Sequence, residues 1–379
     1  MLLGYGAKNL WSFNEWMQID LELNKLVPSD ISMNLPATTA LCFKGANASG
    51  KTNGIKVLAF IIDFITNSFN YKPDEPISYD SYFHNSSPAE FYLHFLLDSK
   101  EYLYEGKVTK SKVIEEKLTC EDILIFKREE NTVKVNKLFS DKIIPKFREN
   151  ASFLSTLNQY DVSEIKPLYN YLFYKMVFNV GYAGFNSVDY YDYHIITKMY
   201  KKNENKFNEV KKIIRNFDTG VNDIEICDRT NESGEIIYFP KFIHRNANGE
   251  EIKLNFEMES KGTQTLYRIL LNFFSTLEMG GIIALDEMDE YLDPEILPWL
   301  LSYYITEKNN PKHAQLICTV HTPEILDVVG KYRVYFFKKT LNETICYRLD
   351  EVKKLRNDRS ILSEFKKHNI GGYPEIGEA

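Results

Sequence analysis

A chain of 379 residues with a formal net charge of -7, 44% hydrophobic and 26% charged residues, has the makeup of a folded globular protein, with chain for about two to three domains. The negative balance excludes a protein that coats nucleic acid through a global positive field, while leaving room for a local basic groove. Five scattered cysteines with no CxxC pair exclude a zinc site or a disulfide framework and point to a reducing cytoplasm.

In chain order, Met17, Ile19 and Leu21 alternate with Gln18, Asp20 and Glu22, which predicts a half-buried strand. Ala40 to Phe43 reads as a buried strand and Asn53 to Phe69 as a helix. Between them lies GANASGKT, Gly45-Ala46-Asn47-Ala48-Ser49-Gly50-Lys51-Thr52, which with Asn53 makes a phosphate-binding loop. The two glycines let backbone amides turn toward phosphate oxygens at a helix amino end. Lys51 is placed to reach the terminal phosphates, and the Thr52 hydroxyl to ligate magnesium. Within the following helix, Val57 to Ile65 is the most apolar run; it is short, contains Asp63, and cannot span a bilayer. No secretory signal opens the chain, and a cytoplasmic protein without membrane attachment is expected.

Alternation at Phe91, Leu93, Phe95 and Leu97, a turn at Asp98-Ser99-Lys100 and a return through Tyr102 to Val108 predict a hairpin, with further strands to Val135. From about Lys142 to Asn216 the pattern is helical, with Leu168, Leu172 and Met176 at helical spacing and a dense run of tyrosines at Tyr190, Tyr191 and Tyr193. Lys201, Lys202, Lys206, Lys211, Lys212 and Arg215 form either a solvated outer face or a surface for nucleic-acid phosphates, around an apolar stripe of Phe207, Val210, Ile213 and Ile214.

Strands return from Ile224 to Phe256. Glu259-Ser260-Lys261-Gly262-Thr263-Gln264 then precedes a helix, either as an ordinary cap or as a second anion site. The strand Gly281 to Leu285 ends in Asp286-Glu287, where Asp286 can hold magnesium and Glu287 can deprotonate the attacking water. The strand Leu316 to Val320 delivers His321 at its carboxyl end, within reach of a terminal phosphate. One nucleotide does not need two anion sites from one subunit, so two subunits would sandwich each nucleotide between the loop of one and the Ser260 segment of the other. A last hairpin, Arg333 to Leu349, precedes a charged tail.

The order GANASGKT, ESKGTQ, LDE, YLDP and TVHTP resembles the ABC-type ATPases, in the branch with SMC, RecF and OLD-like proteins. More narrowly, Lys8-Asn9-Leu10-Trp11-Ser12-Phe13, ESKGTQ and the ending Asp358-Arg359-Ser360 through Gly371-Gly372-Tyr373-Pro374-Glu375-Ile376 resemble the small ATP-binding proteins of bacterial abortive-infection and anti-phage systems. The resemblance implies an α/β fold: an ABC-type head with a mixed sheet, helices, an antiparallel β subdomain and a helical insertion. The segments would be 1–141 and 221–350 for the ATPase domain, 142–220 for the insertion and 351–379 for the tail.

The resemblance further implies a magnesium-dependent ATPase with Ser260, Lys261, Gly262 and Thr263 as a signature acting across a homodimer, or a higher homo-oligomer, and Asp293 in the D-loop. It implies a separate effector protein as well, such as a TOPRIM-like nuclease of the RloB type. Lys261 and Trp11 depart from the family pattern, and Ile77 to Phe83, where a Q-loop glutamine is expected, contains none. A DNA-repair or chromosome-maintenance ATPase acting directly on DNA, and a non-hydrolysing scaffold assembled by ATP, are the alternatives.

Overall fold

The computed structural model describes residues 1–136, 146–180, 192–218, 220–352, 355 and 360–371. Tyr190, Tyr191 and most of the closing motif, Asp358-Arg359 and Gly372 to Ile376, lie outside the described residues.

The strands are β1 (Leu2–Lys8), β2 (Met17–Asp20), β3 (Ala40–Gly45), β4 (Ala89–Leu97), β5 (Lys100–Val108), β6 (Val113–Cys120), β7 (Ile123–Glu129), β8 (Thr132–Val135), β9 (Met176–Phe178), β10 (Asp223–Thr230), β11 (Ile236–Arg245), β12 (Glu251–Asn255), β13 (Ile282–Leu285), β14 (Gln315–Thr319), β15 (Val334–Thr340) and β16 (Glu343–Arg348). The helices used below are α1 (Lys51–Asn67), α2 (Phe153–Gln159), α3 (Lys166–Tyr174), α4 (Tyr193–Lys202), α5 (Glu204–Phe217), α6 (Lys261–Met279) and α7 (Ile296–Ile305).

Three sheets form. A six-stranded sheet runs β16-β15-β3-β14-β13-β9, parallel throughout except for β16. A seven-stranded antiparallel sheet runs β2-β1-β4-β5-β6-β7-β8, and a three-stranded one runs β10-β11-β12. The strands of the parallel sheet read as unbroken apolar runs because both of its faces are covered. Leu41, Phe43, Ile317 and Phe337 join one core, with α1 and the seven-stranded sheet. Ala40, Cys42, Leu316, Cys318 and Phe336 join the other, with α4, α5, α6 and α7. The period of two in a strand makes this division.

The alternating segments form strands at the expected places. In the β4–β5 hairpin, Asp98 and Ser99 take φ of 49° and 62°, the geometry that matches strand twist in a two-residue loop. One helical expectation is corrected. Leu168 and Leu172 lie on α3, but Met176 starts β9, which pairs in parallel with β13 through Met176↔Ile282 and Phe178↔Ala284. Helical spacing there ran past the end of α3 into a strand whose only other signal is its Met-Val-Phe composition. The basic run from Lys201 to Arg215 is divided between α4 and α5 at Asn203, whose side chain caps α5. The apolar stripe is buried, and Lys206 turns inward to Glu278, at 2.8 Å, while Lys211 pairs with Asp223 at 2.8 Å.

No helix among the described residues is long and apolar enough to cross a membrane.

Candidate nucleotide site

The glycine loop connects β3 to α1. Gly50 caps the helix with φ of 102°, and a Cβ there would lie 2.4 Å from Thr344 Oγ1, so both backbone and space require glycine. Thr344, on β16, stands 3.0 Å from the Ser49 carbonyl and 2.8 Å from Ser12 Oγ, and the Asn53 amide donates to that same Ser12 hydroxyl at 2.8 Å. The loop is thereby held from three directions: the carboxyl-terminal hairpin, the segment after β1, and α1. Lys51 is buried and donates to the carbonyls of Gly45 (2.9 Å) and Ala46 (3.0 Å). Burial lowers its pKa, opposed by Asp286, Glu287 and Asp289.

Sheet order brings the distant parts together. β14 lies between β3 and β13, so Thr319 and His321 at its end stand between the loop and the carboxylates. Thr319 Oγ1 donates to Asp286 Oδ1 at 2.6 Å and accepts the Glu287 amide at 2.7 Å. Glu287 sits at φ of 50°, which turns it out of the strand direction. Its pKa is raised, first by burial and then by Asp286 and Glu290, with His321 opposing. A carboxylate pushed upward is a better proton acceptor.

A cleft of about 740 Å³ gathers Asn47, Ala48, Ser49, Gly50, Lys51, Thr52 and Asn53 with Asp286, Glu287 and His321. Gly45 and Ala46 lie beneath it, supplying the carbonyls to Lys51. Ser260, Lys261, Gly262, Thr263 and Asp293 do not line it. Ser260 caps α6, accepting the Thr263 amide at 3.1 Å, and Thr263 Oγ1 donates to Asp218. A Cβ on Gly262 would lie 2.7 Å from the Tyr291 carbonyl, so the signature segment abuts the D-loop segment of its own chain. Asp293 is exposed, and its carboxylate accepts the Glu295 amide at 2.9 Å in the turn before α7. Trp11 packs edge-on against Phe60, with ring centroids 6.2 Å apart, and does not line the cleft.

Several residues were not visible in the sequence. Ile77 and Tyr79, in the stretch searched for a Q-loop amide, are buried in the core beside the antiparallel sheet. The amide that reaches the carboxylate strand is Asn179, just after β9: it accepts the Asp286 amide at 2.6 Å and donates to the Asp286 carbonyl at 2.9 Å. Asp289 Oδ2 accepts the backbone amides of His321 (2.7 Å) and Thr322 (2.6 Å), while Lys44 donates to the His321 carbonyl. The His321 peptide is therefore gripped at both ends. The run Asp286-Glu287-Met288-Asp289 contained a signal for Asp289; Asn179 had none beyond its place after a short apolar triplet.

Thr52 and Asp286, which both line the cleft, carry hard oxygen donors of the kind magnesium takes; among the described residues no group of three or more His, Cys, Asp or Glu could hold a metal ion. Two polar atoms beside the cleft, Ser49 Oγ and Asp289 Oδ1, are buried without a hydrogen-bond partner among the described residues.

A family model described as "AAA domain, putative AbiEii toxin, Type IV TA system" matches residues 41–327. The chain belongs to this family. The AAA domain of this family is an ATP-binding P-loop ATPase domain, and the chain is a mixed α/β protein whose glycine loop follows β3 of a largely parallel sheet. Among solved structures, the crystal structure of the SmcHead bound to the C-winged helix domain of ScpA is similar over 93% of this chain and 99% of that one, with 13% identity and a TM-score of 0.49. No curated protein matches.

Proposed function

We propose that this AAA-domain protein binds and hydrolyses ATP with magnesium, dimerises around the nucleotide, and regulates a separate effector in bacterial anti-phage defence. The observation that carries the hydrolytic reading is one cleft joining the Lys51 loop to Asp286, Glu287 and His321. Thr52 and Asp286 would hold the magnesium ion, which when bound offsets charge developing on the phosphates. Lys51 exchanges its loop carbonyls for the terminal phosphates. Glu287 takes a proton from the attacking water, and His321, fixed by Asp289 and Lys44, donates to the γ-phosphate. Asn179 takes the Q-loop position, carrying the state of the Asp286 strand into the segment after β9.

The dimer reading is supported by the signature segment. Ser260 opens α6 and caps its Thr263 amide, and the amino end of this helix, of the kind that binds anions, is not used by its own chain's cleft. In this reading Ser260, Lys261, Gly262 and Thr263 act on the partner's nucleotide, with Asp293 near the interface. The family description names a putative toxin of a type IV toxin–antitoxin system, and the separate effector is proposed from the sequence resemblance to the ATP-binding proteins of abortive-infection systems. A nuclease or toxin is the effector class proposed.

The test is magnesium-dependent phosphate release by the purified chain. Lys51→Ala should abolish it. Glu287→Gln should cut it at least about a hundredfold while trapping ATP-bound dimers, detected by size-exclusion chromatography with light scattering. Absence of release from the native chain overturns the hydrolytic reading.

A further inference from the structure

Lys339 lines the same cleft. It lies on β15, the neighbour of β3 on the side away from β14. Register places Phe337 beside Gly45, so the strand runs on past the loop. Phe337 belongs to the core around α1 and Phe336 to the opposite one, and alternation puts Lys339 on the Phe337 face, over the loop. Its partner across the hairpin is Thr344, which shares that face and bonds the Ser49 carbonyl.

Charge along the cleft is uneven. Asp286, Glu287, Asp289 and Glu290 gather at the end formed by β13 and β14, while Lys339 occupies the other end, with Lys51 between. Several other sheet lysines have carboxylate partners, as in Lys107–Glu90, Lys117–Glu105, Lys127–Glu115 and Lys253–Glu225, while Lys44 and Lys241 bond a carbonyl and an amide oxygen. Lys339 has none among the described residues.

We infer that Lys339 is a second phosphate-binding cation of the cleft, contacting the α-phosphate end of a nucleoside di- or triphosphate. The inference rests on the reading of the cleft as an ATP site. Glu287 and His321 set the γ-phosphate end, and the sheet order β15-β3-β14-β13 puts Lys339 at the far end from them. A group there meets what ADP and ATP share, so it governs nucleotide retention and leaves the chemical step alone.

The experiment titrates the full chain with Mg-ADP and with a slowly hydrolysed ATP analogue by calorimetry. Lys339→Ala should weaken both by the same factor, about tenfold for one charge-assisted contact, and should flatten the salt dependence of binding. Phosphate release at saturating ATP should stay within about twofold of the native rate. Lys339→Arg should restore binding. Lys338→Ala, on the opposite face, should bind as the native chain does. Native affinity of Lys339→Ala for ADP overturns the inference, as does a loss confined to the ATP analogue. If the native chain binds neither nucleotide, the reading of the cleft itself has failed. An unchanged nucleotide-free melting temperature separates loss of contact from loss of fold.

Discussion

Lys44 is a charge that folding has taken out of water. Burial lowers its pKa from 10.5 to about 8, with Asp289 opposing the shift and Lys51 adding to it. Between those two values the unfolded chain binds the proton and the folded chain does not, so this group's contribution to stability rises with pH across that window. Below about pH 8 the charged form costs stability. Lys44→Met should therefore remove that rise, with an effect of about 3 kcal/mol, read from urea midpoints across the pH range. Its neighbour Asp289 makes a kinetic prediction. Asp289→Ala leaves the His321 and Thr322 amides without their acceptor and should slow phosphate release about tenfold to a hundredfold. His321→Ala should do the same, and the double variant should be no slower than either, because the two act as one unit. At this scale the sequence showed whatever was local. The glycine loop is contiguous, and Asp286-Glu287 and His321 each end an apolar run. Asp289 stood in the acidic run, but its contacts to the His321 and Thr322 amides, like those of Asn179 to Asp286, join residues far apart in sequence, and no spacing rule exposes such contacts.

Elements are held to one another by a few buried polar groups. Arg128 on β7 and Glu116 on β6 are both fully buried, 3.7 Å apart. Glu116 accepts the Phe153 amide at 2.7 Å and the Ser152 hydroxyl at 2.9 Å, while Arg128 donates to the Ala151 carbonyl at 2.5 Å. The pair joins the antiparallel sheet to the start of α2. Glu116→Ala leaves a buried guanidinium uncompensated and should cost about 3–5 kcal/mol, measured by urea unfolding. Strands such as β4, β5 and β13 were legible because alternation or unbroken apolarity is a direct image of one or two covered faces. β9 was not, since its three residues carry too short a pattern to compete with the helical spacing of Leu168 and Leu172. The break at Asn203 was equally hidden, because lysines continue across it.

For the whole molecule, the proposed composite site makes a prediction that one chain alone cannot satisfy. Lys51→Ala disables the loop half and Ser260→Arg the signature half. In a symmetric dimer, a mixed pair keeps one intact site, made of the Ser260→Arg subunit's loop and the Lys51→Ala subunit's signature. Mixing the two inactive proteins should restore about a quarter of native phosphate release, taking random pairing and independent sites. No recovery, with mixed dimers demonstrated by tagged co-purification, argues that each site is built from one chain. The proposed dimer rests, in the sequence, only on an excess: a second helix end of the anion-binding kind without a nucleotide of its own.

The position of β3 has a consequence for how the protein is made. The strand that carries the glycine loop emerges early from the ribosome, yet its two sheet neighbours are residues 315–319 and 334–340. Pairings this distant close late. A nascent or prematurely ended chain displays the complete glycine motif without the sheet that shapes it, and Thr344, which seats the loop, follows later still. Nucleotide binding thus waits on residues 315–344, and a chain that stops before them lacks the strands and the Thr344 contact that shape the loop.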